Sequence, residues 1–303
     1  MTYGGSGDDR LSKNARREAA RQKAQALRET QKKRDRRSRF FLQGGLVVAV
    51  LAIFTVVALI ITSSYLKPPS PGPLNMASDG IRIGQNFKAA TTGALQPGDK
   101  PVASASTSPN VINISVYVDY QCPLCGTFEK TNAQQIATWV KSGAATIEIH
   151  PISFLDSQSL GQKYSTRAAN AAACVANFSP NSFFQFNALL FANQPKEQTP
   201  GLPDAKLVAL AKQAKVTHLT AIDTCVDHQT FKSWVNASTA RAKVTTTPTI
   251  VVNGAKYTGS MKSANEFSQF VNAQAGNQFS EDPTASPAPT SSATPTPSPT
   301  PTP

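Results

Sequence analysis

Cys122-Pro123-Leu124-Cys125 places two thiols three positions apart, directly after the alternating apolar run Val111 to Val118. Such a pair can close into a disulfide or supply half of a metal site, and its surroundings decide between the two. Proline suits the first position of a helix, where its missing N–H would have no partner anyway. The first sulfur then faces unpaired N–H groups and the positive end of the helix dipole, both of which favour a thiolate. The chemistry this supports is thiol–disulfide exchange. Half of a zinc site is the alternative, and it would need two further ligands. Cys174 and Cys225 are far apart, and His150, His218 and His228 show no metal-ligand spacing, so no metal is expected.

The pair must be held by the elements on either side of it. Ile112, Ile114, Val116 and Val118 alternate with Asn113, Ser115, Tyr117 and Asp119, the period of a half-buried strand that delivers Cys122 at its end. Phe128, Ile136, Trp139 and Val140 give the following helix an apolar face, and Gly143 is its stop. Thr146 to Ile149 reads as the next strand. Four helices follow, at 162–177, 182–193, 204–215 and 229–243, separated by Ser179-Pro180, Pro195 and Pro200-Gly201-Leu202-Pro203. Thr249 to Val252, the turn Asn253-Gly254, and Ala255 to Thr258 form a hairpin, and Ser263 caps a last helix through Val271. The class is α/β. Trp139 and Trp234 read as core aromatics, and His150 as an ordinary packed or surface residue.

The rest of the chain supplies a location. Residues 1–39 carry 13 Lys and Arg against 5 Asp and Glu, and the span 40–63 contains the uncharged run LQGGLVVAVLAIFTVVALIIT. About 20 apolar residues are what a helix needs to cross a bilayer, so 40–63 is read as a transmembrane helix. The basic flank places residues 1–39 in the cytoplasm and the remainder outside. A cleavable signal peptide is the alternative, but the run is long for one and no A-x-A site follows. The basic segment has almost no apolar stripe. It suits anionic lipid headgroups and a topology signal, and no nucleic acid is expected as a partner. Residues 64–109 contain the stiff KPPSPGP at 67–73 and read as a Pro-rich, irregular linker in which Ile81 and Ile83, alternating with Arg82 and Gly84, form a short edge strand, and 276–303 as a Pro/Thr/Ser-rich disordered tail. An extracytoplasmic compartment is also where disulfides persist, and the four cysteines are an even set. No nucleotide or haem motif occurs, and no cofactor is expected.

Asp119-Tyr120-Gln121-Cys122-Pro123-Leu124-Cys125 and Thr246-Thr247-Pro248-Thr249, with Ala168 to Cys174 and Phe191-Ala192-Asn193-Gln194-Pro195, resemble the DsbA-like thiol:disulfide oxidoreductases, in particular their membrane-anchored actinobacterial members. The resemblance covers about 110–275. It implies a thioredoxin fold with an inserted helical domain, at about 160–243, preceded by one transmembrane helix. Position assigns the roles within the pair: Cys122, at the helix start, is the exposed nucleophile and Cys125, one helical turn on, the resolving thiol. Pro248 would be cis, and the backbone of Thr247, with Pro123 and Leu124, would form the substrate groove. Cys174 and Cys225 would form a structural disulfide. The implied partners are reduced secreted chains, and a quinone-linked membrane re-oxidase of the DsbB or VKOR kind, for a monomeric disulfide oxidase.

The match has departures. Many relatives carry a buried acid six residues before the first cysteine, where this chain has Val116; Asp119, Glu129 or water would then take the proton of the second thiol. The Pro-Leu centre also lacks a histidine. A disulfide isomerase or reductase of the same fold is the nearest alternative, and a redox-inert binding or chaperone module is the alternative of a different class.

Overall fold

The computed structural model describes residues 17, 18, 20–34, 50–57, 70–104, 108 and 110–280, the last four of these as backbone only. The chain divides into two units, Met1–Pro68 and Pro69–Pro303. In the first, residues 20–34 and 50–57 are helical. No helix among the described residues is long and apolar enough to cross a membrane. Apart from 50–57, the span read at 40–63 lies outside the described residues, as does the tail beyond Ser280.

The second unit is built on a five-stranded sheet in the order β1-β3-β2-β4-β5. Its strands are β1 (Ile81–Ile83), β2 (Ile112–Val118), β3 (Ala145–Pro151), β4 (Thr249–Val252) and β5 (Ala255–Lys256). β2 and β3 run parallel, joined by the crossover helix α1 (Pro123–Ser142). β1 pairs antiparallel with β3, and β4 antiparallel with β2. The apolar period of β2 puts Ile114, Val116 and Val118 into the core. β3 is buried along its whole length, which erases the alternation that marks a half-exposed strand and explains why the sequence reading, Thr146 to Ile149, falls short of both its ends. Asn253 and Gly254 both have positive φ, 47° and 86°, as a two-residue hairpin turn of the primed type requires. Gly143 ends α1 in the left-handed region at φ 86°, with its N–H returning to the Val140 carbonyl.

Between β3 and β4 lie five α-helices: α2 (Tyr164–Phe178), α3 (Phe183–Ala192), α4 (Asp204–Gln213), α5 (Leu219–Asp227) and α6 (Lys232–Ala242). Four were expected. α5 is nine residues long and starts without a side-chain cap, so only its buried Ile222, Cys225 and Val226 mark it. The centre of the insertion is α2, buried on nearly every side, where a run of alanines lets neighbouring helices approach closely. After the hairpin, α7 (Ala264–Ser280) packs Phe267 edge-on against Phe128 of α1 at 5.1 Å. It runs past Val271 and through Gly276, where the tail was expected to begin.

The linker reading of 64–109 needs correction over 70–104. This segment is a strap bound to the domain rather than a spacer. Met76 and Leu95 are buried, and β1 adds an edge to the sheet. The Asn75 side-chain amide donates to the Ala176 carbonyl at 2.9 Å, and Leu74 N–H to Asn177 Oδ1 at 2.9 Å. Arg241 on α6 grips Asp79 through two bonds of 2.7 Å. The folded unit therefore starts about forty residues before the expected boundary at 110.

Candidate active site

β2 ends at Val118, residues 119–122 follow it, and α1 begins at Pro123. Cys122 is the helix N-cap, with extended φ −73° and ψ 117°, and Pro123 takes the first turn. That geometry turns the Cys122 sulfur back over the helix start, where it accepts the Cys125 N–H at 3.4 Å. On its other side the Cys122 thiol donates to the Thr247 carbonyl at 3.2 Å. The Thr247–Pro248 peptide is cis. The loop before β4 and the start of α1, more than a hundred residues apart in sequence, thus meet at one sulfur.

Both thiols are free and buried, Cys122 at 4% exposure and Cys125 at 1%. The expectation of an exposed Cys122 is therefore corrected. The position at a helix start suggested access, but the Thr247 loop lies over the sulfur. Leu124, at 52% exposure, and Pro123 are the residues of the motif that face outward.

The two thiols are driven apart electrostatically. The Cys125 thiol, donating to the Cys122 sulfur, and the backbone N–H groups of Cys125 and Leu124 hold Cys122 at about 6 against the opposing effect of burial. Burial, and then the hydrogen bond and charge of Cys122, push Cys125 well above the ordinary thiol range. One thiol is ready to be a thiolate near neutrality, and the other is held as a thiol.

Val116, where relatives carry an acid, is a buried core residue at 2% exposure. The two acids named in its place have different settings. Asp119 is fully buried and its pKa is raised by that burial to about 6, although it accepts from Gln121 N–H at 2.8 Å, Ser165 Oγ at 2.7 Å and Leu155 N–H at 2.8 Å. Those bonds tie the motif loop to α2 and to the loop after β3. Glu129 lies one helical turn beyond Cys125, on the same side of α1. It is half-buried, and burial raises it to about 7 against a bond from Asn187 Nδ2 at 3.3 Å. Asn187 in turn accepts from the buried Tyr120 hydroxyl at 3.1 Å. Glu129 also lines a groove of about 620 Å³ beside the motif, with Pro123, Gly126, Phe191 and Gln194.

Cys174 on α2 and Cys225 on α5 are joined by a disulfide, with a Cα–Cα distance of 5.9 Å, away from any helix start. His150 is packed flat on Tyr117 at 4.3 Å and only 5% exposed, and its pKa is lowered by burial. Trp234 is buried, and Trp139 packs against the core beside Phe267. No group of three or more potential metal ligands occurs among the described residues. Sequence reasoning assigned no role to Gln194, Asn187 or Tyr120, although Tyr120 lay inside the quoted Asp119 to Cys125 motif. Gln194 lay inside the quoted Phe191 to Pro195 segment, but its partners are more than seventy positions away.

Comparison with known proteins follows the same lines. Residues 105–273 match the Thioredoxin_4 family, described as thioredoxin. The reduced form of the disulfide bond oxidoreductase DsbG from Mycobacterium tuberculosis is 30% identical, with a TM-score of 0.53 over 65% of this chain and 88% of that one. Oxidised DsbA from the same organism is 30% identical, with a TM-score of 0.52 over 65% and 93%. The serine/threonine-protein kinase PknE of M. tuberculosis is 34% identical over 151 residues. That match spans 48% of this chain but only a quarter of the kinase's length. With a dithiol at a helix start, a Thr-Pro loop against it and a helical insertion between β3 and β4, the chain belongs to the DsbA-like family of thioredoxin-fold thiol:disulfide oxidoreductases.

Proposed function

We propose that this protein is a membrane-anchored, extracytoplasmic thiol:disulfide oxidoreductase that donates the disulfide of its Cys-Pro-Leu-Cys motif to secreted chains. The observation that carries the reading is the asymmetry of the pair: Cys122 favoured as thiolate at about 6, Cys125 buried and held as thiol. A disulfide is a stronger oxidant when its reduced form is stabilised, because the equilibrium then favours handing the bond away. A cysteine with a low pKa is also the better leaving group.

A substrate thiolate attacks Cys122 Sγ of the oxidised pair; the Cys122–Cys125 bond breaks, and Cys125 leaves and takes up a proton. A mixed disulfide now joins substrate to Cys122. A second substrate thiolate attacks the substrate sulfur of that bond, and Cys122 departs as the stabilised thiolate. The substrate has lost two electrons and two protons; the motif has gained the two electrons and, at Cys125, one proton, and the other proton passes to solvent. The low pKa of Cys122 makes that last departure fast. Glu129 and Asp119, with raised pKa values of about 7 and 6, are the acids placed to exchange the Cys125 proton, directly or through water.

Thr247, whose carbonyl already faces Cys122, offers its backbone to an extended substrate strand, with Pro123 and Leu124 forming the opposite lip. Turnover requires an oxidant to re-form the pair, and a quinone-linked membrane re-oxidase of the DsbB or VKOR kind fits an anchored donor. The uncharged run within 40–63 and its basic flank support the anchor and its orientation. The protein acts as a monomer, without cofactor, metal or nucleic acid.

The test is oxidative refolding. The oxidised full chain, incubated with a reduced unfolded protein whose activity needs its disulfides, should restore that activity, and Cys122→Ser should not. Reduction of substrate disulfides without net oxidation would place the protein among reductases instead. Normal oxidation by Cys122→Ser would remove the assignment of Cys122.

A further inference from the structure

Gln194 stands two residues beyond the end of α3, in the helical insertion, yet its side chain reaches the active-site loop. Its Nε2 donates to the Cys122 carbonyl at 2.8 Å and to the Tyr120 carbonyl at 3.2 Å. The Gln194 backbone is itself fixed by donation of its N–H to the Phe191 carbonyl at 3.2 Å. The Cys122 carbonyl also receives the Gly126 N–H, at 3.1 Å, as the first bond of α1. Two donors, one from its own helix and one from the insertion, therefore hold the peptide group that follows Cys122.

Gly126 supplies the second, independent observation. Glycine inside a helix is less favourable than alanine, and Gly126 has no positive φ to require it. A Cβ at this position would stand 2.2 Å from Gln194 Oε1 and 3.1 Å from its Cδ. The space that alanine would fill is occupied by the Gln194 amide.

We propose that Gln194 is a positioning residue for the nucleophile: donated to carbonyls on both sides of Gln121, its amide holds the 120–122 backbone in the N-cap conformation that aims the Cys122 sulfur at the Cys125 N–H, and Gly126 is small to admit it. The proposal rests on the reading of Cys122 as the nucleophile. It makes the insertion part of the redox machinery, since a side chain following α3 sets the backbone at the head of α1.

The test uses the reduced full chain and follows iodoacetamide alkylation of Cys122 against pH by peptide mass. Loss of the clamp should move the midpoint from about 6 to about 7 in Gln194→Ala, a tenfold loss of thiolate on the acid side. Gly126→Ala, which displaces the amide, should give the same rise, and the double variant should give no more than either alone. Thermal melting adds a sign test: Gly126→Ala should destabilise the native chain but stabilise Gln194→Ala, because the clash is gone and helix propensity remains. A folded Gln194→Ala with an unchanged midpoint, or additive effects in the double variant, would overturn the proposal. Refolding activity separates the two claims. Native protein that fails to oxidise substrate while the midpoints behave as stated leaves the positioning role standing and removes the oxidase reading; active Gln194→Ala with an unmoved midpoint does the reverse.

Discussion

Cys174 and Cys225 lie 51 positions apart, on helices of the insertion whose packing brings their Cα atoms within 5.9 Å. Cys122 and Cys125 lie three apart, on the first turn of α1. All four are buried, at 4% exposure or less. Burial therefore does not separate a working dithiol from a staple. What differs is the set of donors around the sulfur. Cys122 receives a thiol and backbone N–H groups at a helix start, whereas Cys174 sits in the C-terminal half of α2 among alanines. A helix start makes a thiolate that can leave, and a helix interior makes a link that closes a loop.

The largest effect that could break this contrast is at Cys122. Cys122→Ser should lower the oxidation rate of a reduced substrate by about a thousandfold or more, with an unchanged melting temperature, measured by refolding yield and calorimetry. Separating the pairs in the opposite sense, Cys174→Ala with Cys225→Ala should cost about 4 kcal/mol of stability in the chain-entropy account. That double variant should leave the Cys122 alkylation midpoint at about 6, and a midpoint that moved with the staple would show the two sulfur pairs to be coupled rather than independent. Arg241→Ala comes next, because it strands the nearly buried Asp79 carboxylate. It should cost about 2 kcal/mol in denaturant unfolding and leave substrate oxidation unaltered, since it loosens the strap and not the motif.

The smallest expected effect is a pH dependence. Glu129 has a folded pKa of about 7, above its unfolded value of about 4.3. The folded state then binds more protons than the unfolded one between those values, so stability falls as pH rises through roughly 4 to 7 and stays lower above it. Glu129→Gln should remove the Glu129 share of that decline, leaving the share of Asp119, whose pKa is raised to about 6, and gain about 1 kcal/mol at pH 8, discounted for partial exposure. Below about pH 4 the variant and the native chain should be equally stable. A Glu129→Gln profile that overlays the native one across this window would remove Glu129 as a proton carrier.

The two cysteine pairs also mark what a sequence can and cannot reveal. The Cys122 to Cys125 motif, β2 and the Asn253-Gly254 hairpin were legible because their signals are local: period two, a proline at a helix start, two residues that tolerate positive φ. Of the strap only β1 was legible, from the alternation of Ile81 and Ile83 with Arg82 and Gly84; the rest is fixed by single distant contacts, such as Asp79 with Arg241 and Asn75 with the end of α2, that leave no period. Helix α5 was missed since nine residues with three inward positions resemble a loop. Gln194 and Gly126 are each unremarkable in sequence and become informative only as a pair in contact. The covering of Cys122 by the Thr247 loop is likewise a product of the fold, invisible in either segment alone.

The most direct test of the central claim is the reduction potential of the Cys122–Cys125 pair, obtained by equilibrating the full chain in glutathione buffers, trapping free thiols by alkylation and weighing the peptides. A stabilised Cys122 thiolate predicts a potential nearer about −120 mV, that of a strong disulfide donor, than about −270 mV, that of thioredoxin. A value at or below about −270 mV would contradict the account and make the protein a reductant.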